Sequence, residues 1–130
     1  WNNSEYGKSL RIQYENCSNL HLLDPIYEQI PLNQLRSNCN MYVHGHSAGG
    51  TNPSLVEAMH LGLSIASFDV SYNRETTHNR AIYFDSKVQL INILTQSEEI
   101  DWLCISENMR LIAKSEYTWL TISKQYASLF

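Results

Sequence analysis

Between Met41 and Asp69 two short apolar runs flank a glycine turn and a capped helix, an order that predicts two parallel strands joined by a crossover. Met41, Tyr42 and Val43 suit a buried strand, and Gly49-Gly50 supply the freedom a tight turn needs. Asn52 is a good N-cap and Pro53 suits the first helical position, while Leu55, Val56, Ala58 and Met59 give an apolar face. Gly62 is a natural helix stop, after which Leu63 to Phe68 form the next strand, closed by Asp69. The free N–H groups and positive dipole end of the helix would face whatever sits above the turn, a layout suited to a phosphorylated ligand.

The rest of the chain extends this pattern. Lys8 to Tyr14 read as the end of a helix and Asn16 to Asn19 as a polar turn. Leu20 to Leu23 read as a short strand, punctuated by Asp24-Pro25. A helix starting at Pro31 leads into the strand at Met41 to His44. Tyr72 to Arg80 read as a loop or helical turn, and Ala81 to Phe84 as a further strand. From Asp85 onward helical spacing takes over, with Tyr117 and Trp119 as core anchors of a terminal helix. The expected fold is α/β: a Rossmann-like parallel sheet flanked by helices, with further helices at the C-terminal end.

A chain of 130 residues, 43% hydrophobic and 17% charged, is sized for one core, so residues 1–130 are expected to form a single domain. The net charge of -4 gives no electrostatic footprint for nucleic acid. No apolar stretch approaches the roughly 20 residues of a membrane span. Cys17, Cys39 and Cys104 are odd in number and lack metal-site spacing, which fits a reducing cytosol rather than a disulfide framework or a zinc site. The start at Trp1 suggests a piece of a longer protein.

Ligands of open parallel sheets bind beyond the carboxyl ends of the strands, and both Gly49-Gly50 and Asp69 follow such ends. The glycine turn is neither a Walker A loop nor a dinucleotide fingerprint, and its bland reading is a plain connector. Glu57, early in the helix, is either a surface dipole partner or a carboxylate aimed at ligand hydroxyls. His44 and His46 would share one face of a strand, yet no third ligand stands at a diagnostic spacing, so hydrogen-bonding histidines are preferred to a metal site. Arg74 and Glu75 offer a guanidinium suited to phosphate and a carboxylate suited to vicinal hydroxyls. The string Gly45-His46-Ser47-Ala48-Gly49 matches a nucleophile elbow, with Asp69 and His78 in triad order, but the helix begins several residues too late.

These residues resemble the C-terminal donor-binding domain of a GT-B glycosyltransferase of the family 4 type. Asn52 to Asp69 follow closely the second half of the family segment EGFGLPxLEAMAxGxPVIASD, and Tyr117-Thr118-Trp119 with Ile122 and Tyr126 looks like the family's closing helix. The wording HGHSAGGTNPSLVEAM is more like bacterial rhamnosyl- and related polysaccharide transferases. The resemblance implies binding of a nucleoside-diphosphate sugar, without a metal or other cofactor, for retaining transfer to a hydroxyl of a growing surface polysaccharide such as O-antigen or capsule, or of a lipid-linked oligosaccharide. The acceptor would be held by a preceding domain, in a cytoplasmic enzyme peripheral at the inner face of the plasma membrane, and this chain alone would not turn over. Glu57 matches the family's second motif glutamate, an acceptor for ribose hydroxyls. Gly50, Thr51 and Asn52 match the turn over the donor sugar and diphosphate. Gly49 stands where the family's first glutamate should touch the donor sugar, so His46, Asn52 or the Glu75 loop would take over that contact. The catalytic candidates are accordingly His46 and Glu75, and the donor-binding candidates Gly49, Gly50, Thr51, Asn52, Glu57 and Arg74. The basic groups that relatives place on the diphosphate have only Lys8 as a counterpart. A non-catalytic nucleotide- or sugar-binding module and a serine hydrolase built on Ser47 are the alternatives.

Overall fold

A computed structural model describes residues 4–130. They fall into two compact units, one ending at Gln34 and one running from Leu35 to Phe130.

The first unit opens with helix α1 (Glu5–Tyr14), whose Ser4 side chain caps the Gly7 N–H at 3.0 Å. Leu20 to Leu23 do not form the expected strand. The chain leaves α1 through back-bonded turns, Cys17 N–H to the Tyr14 carbonyl and Leu20 N–H to the Cys17 carbonyl. Among the described residues no strand lies alongside to complete a ladder, and Leu20 and Leu23 stay 43% and 51% exposed. Arg11 instead reaches Asp24 at 3.0 Å. Helix α2 (Gln29–Ser37), whose last three residues belong to the second unit, starts two residues before Pro31, which is tolerated because first-turn N–H groups have no partner inside a helix.

The second unit carries the sheet. Strands β1 (Met41–His44), β2 (Ser64–Phe68) and β3 (Ile82–Phe84) are parallel and ordered β1-β2-β3, with Val43 opposite Ala66 and Ala66 opposite Ile82. Helix α3 (Pro53–His60) links the first pair, and α4 (Ser71–Thr76) the second. The α/β expectation of a parallel sheet flanked by helices holds, as a small three-stranded version. Asn52 caps α3 by accepting from the Ser54 N–H at 3.0 Å. Its far end closes on Gly62 at φ +68, with Gly62 N–H bonding the Met59 carbonyl and Leu63 N–H the Ala58 carbonyl, a left-handed cap that favours glycine.

Helices α5 (Lys87–Thr95), α6 (Trp102–Glu116) and α7 (Trp119–Ala127) follow. Leu55 and Met59 of α3 pack with Ile65 of β2 and with Ile105, Met109 and Ala113 of α6, each set of helix residues four apart and so on one face. Two sequence expectations change here. Val43 is 40% exposed while His44 beside it is fully buried, because β1 is the sheet edge and its inward face takes the histidine. Trp119 is 87% exposed rather than a core anchor, since α7 buries none of its residues.

Candidate functional site

The loops that leave the carboxyl ends of β1 and β2 are tied together by one side chain. Asn73 of α4 is fully buried, and its Nδ2 donates to the His46 carbonyl at 3.1 Å and to the Phe68 carbonyl at 3.0 Å. Thr76, one turn later, is also buried and lies 3.5 Å from the Thr51 hydroxyl. Residues three apart share a helix face, so α4 turns Asn73 and Thr76 toward the 46–51 loop.

Glu75 falls off that face. Its side chain is exposed, and its charge acts on the Tyr117 phenol, whose hydroxyl donates to the Thr76 carbonyl at 3.2 Å. Among the described residues no hydrogen bond joins Glu75 to His46, so the two catalytic candidates are held by separate surroundings. His46 is exposed, and its ring stacks on His44 with centroids 4.8 Å apart. His44 has Nδ1 3.3 Å from the Tyr42 hydroxyl, while its buried Nε2 has no hydrogen-bond partner among the described residues. Burial first, and then the neighbouring His46, push its imidazole down to about 4, so it is neutral at ordinary pH.

The glycine turn stands open. Gly49 has φ +112, a conformation L residues rarely adopt, and a Cβ added at Gly49 or Gly50 would meet nothing within 4 Å. Position 49 therefore excludes a side chain by its backbone and not by lack of space. Thr51 is exposed at the entrance to α3, and the Asn52 side-chain oxygen is occupied by its capping bond.

Glu57, one turn into α3, faces a groove of about 670 Å³ that Thr51, Pro53, His60, Thr118 and Trp119 also line. Its Oε2 accepts from Arg36 Nη1 at 2.5 Å, with the arginine side chain 17% and the carboxylate side chain 45% exposed. Burial raises the Tyr42 phenol above its ordinary value, and the two charges act on it in opposite senses, Arg36 lowering it and Glu57 raising it. At the groove's other end His60 Nε2 lies 3.0 Å from the Tyr117 carbonyl.

Arg74 is clasped by Asp69, Nε to Oδ1 at 2.5 Å and Nη2 to Oδ2 at 2.7 Å, and reaches Asn79 at 3.2 Å while stacking 4.1 Å above the Tyr83 ring. The clasp holds the Asp69 carboxyl below the usual carboxylate range. Three of the five guanidinium N–H donors are thus engaged within the chain, which leaves two for a ligand.

Asp69 serves Arg74, and His78 pairs with Glu116 at 3.0 Å, so the groups a Ser47 nucleophile would need are each held elsewhere. The described residues contain no cluster of three or more His, Cys, Asp or Glu able to hold a metal ion. Lys8 belongs to the first unit, where it pairs with Glu5 at 2.7 Å. None of the helices among the described residues is long and apolar enough to cross a membrane.

Compared with family models, with curated proteins and with solved structures, the chain gives no match.

Sequence reasoning missed Arg36 and Asn73. Arg36 precedes Glu57 by 21 residues, and nothing in the α2 pattern announces that pairing. The one signal for Asn73 is that an asparagine is a poor former inside a helix, which hints at a tertiary role.

Proposed function

We propose that this chain is the donor-binding part of a glycosyltransferase that takes a nucleoside-diphosphate sugar. The observation that carries the reading is the Glu57 carboxylate, held by Arg36 and facing the groove that opens at the α3 N-terminus and the exposed Thr51. From Pro53 to Glu57 the helix rises about 6 Å, at roughly 1.5 Å per residue, which suits phosphates at the helix entrance and ribose hydroxyls at the carboxylate. Pro53 has no N–H and those of Ser54, Leu55 and Val56 are bonded to Asn52, so α3 acts on the leaving diphosphate through the positive end of its dipole, and a carboxylate accepting from vicinal hydroxyls holds the ribose.

With a bare glycine at position 49, the donor sugar needs another contact. The Asn52 oxygen is committed to its cap, and Glu75 lies off the face that packs on the loop. His46 keeps an exposed ring and Asn52 the two N–H donors of its amide for that contact, and Arg74 retains two donors for phosphate. The same bare glycine favours a second reading, a nucleotide-binding module without transfer chemistry.

Titration of the labelled chain with UDP, GDP and dTDP, followed through its amide resonances, tests the site. Shifts concentrated between Gly49 and Glu57 with one of them are expected. Silence in that segment with all three would defeat the donor-site reading. Sugar release from the matching nucleotide sugar by the complete protein separates the enzyme from the binding module.

A further inference from the structure

The ion pair at the rim of the groove is lopsided. Arg36 is 17% exposed and Glu57 45%, so the cation is largely enclosed while the carboxylate remains open to the groove. The contact is made through Oε2 alone, and among the described residues no hydrogen bond reaches Oε1. A pair of this kind adds little as a surface salt bridge, but it removes the rotational freedom of one carboxylate.

Arg36 lies in the last turn of α2. Tyr42 on the edge strand adds a third group close enough to sense both charges. Glu57 lines the groove and Arg36 is not among its lining residues, so the guanidinium holds one oxygen of a groove carboxylate and leaves the other uncommitted. An ionised carboxylate with one oxygen fixed accepts a hydroxyl in a defined direction, whereas a free one must be ordered on binding.

We infer that Arg36 is the positioning residue for Glu57, holding Oε2 so that Oε1 accepts a ribose hydroxyl of the bound nucleotide. The inference rests on the donor-site reading above and adds to it the group that sets discrimination for the sugar hydroxyls of the nucleotide. Removing Arg36 leaves the phosphate contacts in place and loses the preference for a hydroxylated ribose. A purely structural role would instead weaken every nucleotide to the same degree.

The test compares UDP, GDP and dTDP with their 2′,3′-dideoxy counterparts by amide-shift titration of the chain and its Arg36→Met, Arg36→Lys and Glu57→Gln variants. For the unaltered chain the hydroxylated form of the binding nucleotide is expected to bind about tenfold or more tighter, as a hydrogen bond to a charged group allows. Arg36→Met and Glu57→Gln are each expected to bring the ratio below about threefold with dideoxy affinity kept, and Arg36→Lys to restore part of it, as the loss and partial return of one charged hydrogen bond imply. A ratio unchanged in Arg36→Met overturns the inference, whether or not both affinities fall, and so does equal binding of the two forms by the unaltered chain. Absence of any nucleotide shift in the unaltered chain defeats the donor-site reading itself, and this inference with it.

Discussion

The side-chain amide of Asn73 donates to the His46 carbonyl at 3.1 Å from a fully buried position, and through a second bond to Phe68 it fixes the ends of two strands to one helix. Asn73→Ala leaves the His46 carbonyl without its donor, whereas the Phe68 carbonyl keeps the Val70 N–H at 3.0 Å. With about 1–3 kcal/mol for a buried group left unsatisfied, the expected loss is about 1–3 kcal/mol in urea unfolding. Amide exchange between Gly45 and Gly50 should quicken before the rest of the sheet does. A loss below about 0.5 kcal/mol, the range of ordinary surface changes, would show that the loop holds its place without Asn73.

Gly49 and Gly50 offer a matched comparison. A Cβ at either meets nothing within 4 Å, yet only Gly49 has a positive φ, at +112. Gly49→Ala is expected to cost about 1–3 kcal/mol, the usual penalty for a side chain forced into a sparsely populated backbone region. Gly50→Ala should stay within about 0.5 kcal/mol. Equal costs in denaturant unfolding would refute the backbone account. The same strain explains why a glutamate is not accommodated at position 49 without reshaping the turn.

Arg36 and Glu57 are coupled at 2.5 Å with the arginine mostly enclosed. A double-mutant cycle with Arg36→Met and Glu57→Gln should give a coupling of about 1 kcal/mol, at the upper end of exposed ion pairs. Because the carboxylate is half open, raising the salt to 1 M should shrink that coupling. Strict additivity of the two substitutions would mean that the pair carries no interaction in solution.

The parts of this molecule legible in its sequence are those written in local chemistry. Asn52, Pro53 and Gly62 marked both ends of α3 because a cap, a fixed φ and a left-handed residue each act within a turn. The runs at Met41 and Leu63 identified β1 and β2 because they flank that helix. Leu20 to Leu23 misled because a strand requires a neighbour, which four residues cannot announce. Trp119 misled for the same reason, since helical spacing reveals which face is apolar but not whether anything covers it. Glu57 was legible as a candidate by its place on α3, whereas Arg36 and the buried amide of Asn73 act over 21 and 27 residues and required the fold.

His44 makes stability depend on pH in a defined window. Its folded value, about 4, lies below the ordinary 6.5, because burial and then His46 disfavour the charged ring. Above pH 6.5 both folded and unfolded chains hold it neutral, and it adds no slope. Between 6.5 and about 4 the unfolded chain takes up a proton that the folded chain refuses, so stability falls as the solution is acidified, by about 3 kcal/mol at most. Asp69, held low by Arg74, also loses stability toward acid, but in a window below its ordinary 3.8. Urea unfolding at intervals from pH 7.5 to 4.5 therefore separates the histidine from Asp69, and the comparison with His44→Gln separates it from the other four histidines. The slope should flatten in His44→Gln, and the His44 ring resonances should not titrate above pH 5. Retention of the full slope in that variant would place its origin in another group.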